Sequence, residues 1–483
     1  MAPAFQGVLT PNDEPWETGV GTEVFTEMET EFSSLEVAFE TPWFDAKALF
    51  GTSEFFSNIF WDYDLAEEQV LVIEATPNTA DTKSFDATFT SSGDFWPAWF
   101  SWIAGVYAED TFKDQRTPVF VRGAAIVEGL TGLPTTLLGE VLGTDLTEVN
   151  LVLYGGVQTD AQAAFAEFTF DITDDFTIRA GGRYSDETRE ITEAYVNQRN
   201  PDTGAESRAI TYEPQERSWT DFTPSASLEY QLTDDKMVYF SYSTAFKSGN
   251  WNALNINEAP NAVEPEKAKT FELGAKTEWL DGNLRVNASI FQTVVKDGHV
   301  QILSLLSGGV TRLDNSGQYT IDGAEMEVVS YLTPSLRVTF AGTYLDGTYD
   351  DFIGTDFNPD SGLEESGTDF SGNDTVRTPH FTGTLDINYD FPFFWGMEGQ
   401  IGAGVYYNSG FEFNAGNNVQ EEQYEKYNAR FSIYDPDSGI KLYGYGSNLN
   451  NAVSHLQKFR QDFGVGESYA RPRMYGFGIE WNY

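Results

Sequence analysis

The run NLRVNASI, residues 283 to 290, constrains the fold of this chain more than any other feature. Leu284, Val286, Ala288 and Ile290 fall on one side of an extended chain, and Asn283, Arg285, Asn287 and Ser289 fall on the other. A period of two belongs to a strand, because a helix returns its apolar residues every third or fourth position. The run follows Asp281-Gly282, a pair suited to a tight hairpin turn. Residues 219 to 298 therefore read as two hairpins, the first turning at Thr233-Asp234-Asp235, with a loop through 251 to 262 between them. Two architectures satisfy such a hairpin. In a soluble sandwich the apolar face packs inward, whereas in an outer-membrane barrel it meets lipid and the polar face lines the lumen.

The same alternation recurs along the chain. LEVAFE (35 to 40), a turn at Thr41-Pro42 and the run from Phe44 to Trp61 form a first hairpin, and segments 82 to 92 and 99 to 112 form a second. The stretch 114 to 152 reads as a long excursion with a short helix near 136 to 142. Further on, Phe176, Ile178, Ala180 and Tyr184 oppose Thr177, Arg179 and Arg183, and Leu336, Val338, Phe340 and Tyr344 oppose Ser335, Arg337, Thr339 and Thr343. Brief turns alternate with long polar loops near 193 to 217, 299 to 317 and 346 to 374, the asymmetry expected of periplasmic turns and extracellular loops. The count is about 17 strands. Residues 1 to 31 read as irregular or as a strand remnant, and 32 to 483 as one continuous sheet.

Composition supports the membrane solution. The chain has 38 Phe, 24 Tyr and 11 Trp yet a negative mean hydropathy, as expected if only every second strand residue meets lipid. The apolar stretch 96 to 108 is interrupted by Pro97 and too short to cross a bilayer as a helix. In the last strand Tyr475, Phe477, Ile479, Trp481 and Tyr483 share one face, an aromatic stripe that a soluble protein rarely exposes. A net charge of −47, from 75 acidic and 28 basic residues, excludes nucleic acid as a natural partner. There is no cysteine, so disulfides and thiolate metal sites are absent. The N-terminus lacks a basic segment followed by an apolar core, so it is not a signal peptide, and the chain reads as a portion of a longer exported protein.

Catalytic chemistry has little support in these residues. His299, His380 and His455 lie far apart in different hairpins or loops, and no phosphate loop, nucleophile elbow or HExxH occurs. The string Asp356-Phe357-Asn358-Pro359-Asp360-Ser361-Gly362 spaces its oxygens as calcium loops do, but its glycine is one place late. No catalytic, cofactor or metal residue is assigned. Phe246, Lys247, Asn250 and Trp251, at a strand top, are candidates for contact with a ligand, with girdle or loop packing as the alternative.

These same segments resemble the barrel of TonB-dependent outer-membrane receptors. The resemblance is carried by Pro224, Phe246-Lys247-Ser248-Gly249, Pro265-Glu266, Glu272-Leu273-Gly274 and Asp281-Gly282, then by NSGQYTIDGAEMEVV, RTPHFTGTLDINYDF, YNARFSIY, SNLNN and ARPRMYGFGIEWNY. It covers most of 156 to 483 and, more loosely, 32 to 113. It implies an all-β antiparallel transmembrane β-barrel of outer-membrane type, with about 17 strands present of the family's 22. It further implies uptake of a scarce nutrient, foremost a ferric siderophore, energised by the TonB complex through a plug that is not recognisable in this sequence. Outer-membrane lipid, lipopolysaccharide and the barrel assembly machinery are the implied surroundings, the last reading the terminal aromatic strand, where Tyr483 replaces the usual phenylalanine. A passive plugless channel, a truncated barrel fragment and a secreted soluble all-β binding protein are the alternatives. If the loop acids face the ligand path, repulsion of anions would favour neutral or cationic chelates.

Overall fold

The computed structural model describes residues 14–17, 23–63, 71–92, 95–121, 149–200, 202–254, 259–303, 311–357, 364–461 and 464–481. Its main element is an eighteen-stranded antiparallel sheet. Strands follow one another in chain order, from Phe25–Glu40 and Phe44–Asp62 to Ile440–Ser447 and Met474–Trp481. One strand sits outside this up-and-down path. Glu206–Tyr212 pairs with the upper end of Phe176–Arg199, directly above Gln215–Thr233, which pairs with the lower part. Seventeen wall strands remain, in agreement with the alternation read from the sequence. No helix among the described residues is long and apolar enough to cross a membrane.

Register shows which face meets lipid. Phe100, Phe170, Ile178, Leu228, Phe240, Leu273, Ile290, Ala324, Tyr344 and Phe381 lie directly opposite one another on ten successive strands, forming one continuous apolar row. Leu273 is 52% exposed and Ile290 58%, so this row is the outer surface. One residue along, Thr169, Arg179, Ser227, Ser241 and Glu272 form the inward row. There Arg179 pairs with Glu229 and Arg285 with Glu278. Because the side-chain period is two, a one-residue slip would send these charges into lipid, and that cost fixes the register. Inward glycines make room for aromatic neighbours: Tyr239 lies over Gly274 and Phe291 over Gly323, where a β-carbon would collide with the ring.

The two ends differ. One carries the brief turns, at Thr41 to Trp43, Asp174-Asp175, Asp234-Asp235, Leu280 to Asn283 and Pro334-Ser335. Leu280, Asp281 and Gly282 all have positive φ in the predicted Asp-Gly turn. Trp43, Phe95, Trp99, Phe394 and Trp395 are exposed around this rim, as aromatic residues are at a membrane interface. At the other end the wall is uneven. Val149–Thr173 has 25 residues and Met474–Trp481 has 8. At about 3.3 Å per residue, the longest strands rise far beyond an apolar band about 25 Å tall.

That excess length explains where the sequence reading fell short. The segment 193 to 217 is mostly strand, and so are 114 to 121 and 149 to 152; in this part of the wall the lipid-facing alternation is lost, and Val119, Val152, Ala194 and Val196 are buried instead. Residues 25 to 31 belong to the first strand. The other long loops contain five small hairpins: Asn250–Asn252 with Asn261–Val263, His299–Leu303 with Thr311–Asn315, Ile353–Phe357 with Glu364–Asp369, Phe411–Glu412 with Gln420–Glu421, and His455–Gln461 with Gly464–Tyr469. The helix expected near 136 to 142 lies outside the described residues.

Candidate functional site

The small hairpins fold over the long-loop end and line two open-mouthed cavities that share Trp61 and Gln301. The first, about 650 Å³, lies against the inner face of the tall wall and is lined by hydroxyl and amide groups, among them Thr82, Thr111, Gln115 and Thr117. Its opposite side is the hairpin carrying Asn250 and Trp251. Gly249 lets that hairpin turn inward, since a β-carbon there would overlap the Val263 carbonyl and the Trp219 ring. The Arg189 guanidinium, 2.6 Å from Glu187, donates to Asn250 Oδ1 at 2.7 Å. The Trp251 indole donates to the Arg189 carbonyl at 3.1 Å. Asn252 donates to the Leu313 carbonyl and accepts from the Leu313 amide, tying this hairpin to the next.

Of the four candidate contact residues, Asn250 and Trp251 line this cavity, and Phe246 and Lys247 line neither cavity. Strand alternation puts Phe246 on the outward face with Phe240 and Tyr242, and the Lys267 ammonium lies 5.8 Å from its ring. Lys247 ends its strand opposite Glu266.

The second cavity, about 470 Å³, is framed by Phe352, Phe357, Phe370, Phe413, Phe459 and Trp61, with Arg377, Lys458 and Arg460 among them. Beneath it is a packed platform. Tyr349, Phe352 and Phe370 form a small buried core, with ring centroids 5.1 Å apart along the series. Hydrogen bonds fasten the platform to the neighbouring turn: Asn373 donates to the Ala415 carbonyl at 2.8 Å, and Asn417 Oδ1 accepts from the Asp374 amide at 2.7 Å. These loops carry their own apolar core.

The roof of the second cavity is the hairpin His455–Gln461 with Gly464–Tyr469, anchored by a hydrogen bond to a buried carboxylate. His455 Nδ1 lies 2.9 Å from Oε2 of Glu421, whose side chain is 3% exposed. Its Nε2 lies 3.5 Å from Glu467, and the Tyr469 ring centroid is 4.7 Å from its own. Phe459 reaches Trp61 across the mouth at 6.2 Å. The Trp16 indole donates to the Ala470 carbonyl, so residues near the two ends of the chain meet here. Burial, with the Asp374 carboxylate adding to it, raises the Glu412 carboxyl above its ordinary value.

The three histidines do not converge. His299 contacts the Glu264 carbonyl, His380 the Leu345 carbonyl, and His455 the carboxylates just described. In the calcium-like string, Asp356 accepts from Asn418 and from the Phe357 amide, while Asn358, Asp360 and Gly362 lie outside the described residues. Tyr475, Phe477, Ile479 and Trp481 all project from the outer surface, Phe477 at 83% exposure, and Tyr483 is outside the described residues. Sequence reasoning missed Arg377, Lys458 and Arg460. The available signal was Lys458-Phe459-Arg460, two cations flanking an aromatic residue in an acidic chain.

An apolar outer surface, a polar inner wall and a mouth roofed by folded hairpins define an outer-membrane β-barrel of the receptor type. The chain belongs to the TonB dependent receptor-like β-barrel family, whose model matches residues 11–449. It is similar to the probable TonB-dependent siderophore receptor PiuA of Acinetobacter baumannii, with 27% identity over 254 residues, covering 51% of this chain and 32% of the relative. The ferric-pyoverdine 358 receptor of Pseudomonas putida is 31% identical over 128 residues, 26% of this chain and 14% of that receptor. The match thus spans about a third or less of the length of these relatives. Among solved structures, the ferric yersiniabactin uptake receptor FyuA from Yersinia pestis superposes with a TM-score of 0.73 at 16% identity, covering 94% of this chain and 61% of that one. Family membership and the outward apolar row overturn the secreted soluble alternative.

Proposed function

We propose that this chain forms the barrel of an outer-membrane receptor that takes up a ferric siderophore or similar metal chelate, energised through TonB acting on a plug within the lumen. The observation that carries this reading is the pair of open-mouthed cavities at the long-loop end of a barrel whose relatives are named as siderophore receptors. Such volumes suit a small molecule rather than a protein or bulk solvent. The barrel binds and passes its ligand without covalent chemistry. Asn250 and Trp251 supply a polar and an aromatic contact in the first cavity. The outward aromatic stripe of the last strand meets lipid and is the feature offered to the assembly machinery, and lipopolysaccharide surrounds the taller wall.

The test is uptake of radiolabelled iron(III) chelates by cells with and without the gene. Accumulation that needs the gene and stops when the proton-motive force is collapsed supports the proposal. Gene-dependent entry of small solutes that continues without energy, with ionic conductance in planar bilayers, would replace it with a passive channel.

A further inference from the structure

We infer that Lys267, Lys269 and Lys296 form a seat for the phosphate of one outer-leaflet glycolipid, whose acyl chain lies in a groove directly below them on the outer face of the barrel. The inference rests on the orientation of the wall and is independent of what the lumen carries. Height on the wall is the starting point. A residue ten positions from the short-turn end of a regular strand faces the same way as the end residue. At about 3.3 Å per residue and a tilt of about 40°, ten positions rise roughly 25 Å, the height of the apolar band. Outward residues there stand where acyl chains give way to phosphorylated headgroups.

On six strands that outward position holds an exposed acid. These are Glu54 on Phe44–Asp62, Asp81 on Leu71–Ser91, Asp110 on Phe100–Val121, Asp186 on Phe176–Arg199, Asp346 on Leu336–Asp351 and Glu425 on Tyr424–Asp435. An acidic collar is what a chain with 75 acids and 28 bases should show. On Glu266–Trp279 the same position holds Lys269, and the next outward residue above it is Lys267. Lys296, on the adjoining strand Leu284–Lys296, lies directly opposite Lys267. All three lysines are exposed, so the collar reverses its sign on this pair of strands.

The arrangement carries a cost that a bound anion offsets. Like charges directly opposite each other in a strand pair repel, and their Cα atoms stand only about 4.5–5.5 Å apart. Among the described residues Asp221, 3.0 Å from Lys267, is the one acid paired with this group. A phosphate set among the three ammonium groups answers the remaining charge, and the long lysine stems let all three reach it. Below them is an open groove of about 410 Å³ lined by Phe240, Phe271, Leu273 and Ile290. Phe271 is the next outward residue beneath Lys269, so groove and lysines are continuous. Asp322 at the border of the groove accepts from Gln292 at 2.9 Å. A basic head above an apolar groove, at the height of the headgroups, matches a phosphorylated lipid rather than a free anion or a soluble protein.

The experiment adds bisphosphorylated lipid A, or lipid A stripped of its phosphates, to the native protein in lipid-free mild detergent, and reads retained lipid by native mass spectrometry. The inference expects one lipid A per barrel, retained in preference to the dephosphorylated form. Each of Lys267→Gln, Lys269→Gln and Lys296→Gln should weaken retention about fivefold, the share of one lysine near an anionic surface. Lys83→Gln is the control, since Lys83 is an outward lysine opposite Asp110 and its loss should leave retention unchanged. Heat-modifiable migration in gels shows that each variant is folded. Equal retention of the two lipids, no retention of either, or retention that survives all three substitutions together overturns the inference. Retention abolished by EDTA in the unaltered protein also overturns it, because cations bridging phosphate to the acidic collar would then hold the lipid.

Discussion

Replacing Leu273 with arginine tests the assignment of the two barrel faces. Leu273 lies between Phe240 and Ile290 in the outward row, on a strand that continues in both directions from this position. A cation in the middle of the lipid-facing band costs about 2–4 kcal/mol, falling to 1 or less near the interfaces. Folded proteins are typically stable by roughly 5–15 kcal/mol, so this one change should remove a large share of the total. Adding Ile290→Arg places a second cation directly across the strand pair and should prevent folding altogether. Ser241→Arg is the matched control. Serine at 241 faces inward opposite Glu272, where a new cation finds a carboxylate and water. The assay is denaturant unfolding in lipid vesicles, followed by heat-modifiable migration and tryptophan emission. A large loss for Leu273→Arg with little change for Ser241→Arg is the expected result. Equal costs, or the reverse order, would refute the register argument and with it the membrane orientation.

Other consequences concern the mouth. Gly249→Ala should displace the hairpin at Asn250–Asn252, because the added carbon meets backbone as well as the Trp219 ring; faster hydrogen exchange at 250–263 with the barrel strands unchanged is the readout. His455→Phe leaves the buried Glu421 carboxylate without its ring partner and should weaken the roof by about 1–3 kcal/mol, seen as exchange at 411–421, 455–461 and 464–469. Glu412 has a buried oxygen without a hydrogen-bond partner, and burial together with Asp374 raises its pKa, so the folded form holds this proton more tightly than the unfolded chain. Its penalty is absent below the ordinary value of 4.5, grows as pH rises through the raised folded value, and is complete above it. Glu412→Gln should therefore stabilise these loops at neutral pH and lose its advantage on acidification, as thermal unfolding of the two proteins across pH would register.

How much of this was legible in the sequence depended on what each face of a strand touches. Where one face meets lipid, as at Leu284, Val286, Ala288 and Ile290, the alternation located the strands and their turns correctly. Above the lipid that contrast is lost: no face meets lipid, and Val119, Val152, Leu153 and Ile191 are buried within the upper wall. The segment ESRAITY at 206 to 212 carries the polar character of a loop, yet it is a strand, stabilised by pairing with Phe176–Arg199 rather than by its own pattern. The small hairpins were hidden for the same reason. Asn250 and Trp251 were picked as candidates because they follow a glycine step with a family likeness; they line the first cavity, and the geometry gives that glycine its purpose. Arg377, Lys458 and Arg460 were missed because composition averages charge over the chain. Arg377 and Arg460 are separated by 83 positions in sequence and face one cavity only after two loops have folded over it.

The most direct measurement is the position of iron in crystals of the native protein grown with a bound iron(III) chelate, located by its anomalous scattering. The account predicts one strong peak inside the vestibule at the long-loop end, within the space bounded by Trp61, Phe370, Arg377 and Arg460. Iron found only on the outer faces of the loops, or in the lumen near the short turns with the vestibule empty, would contradict it.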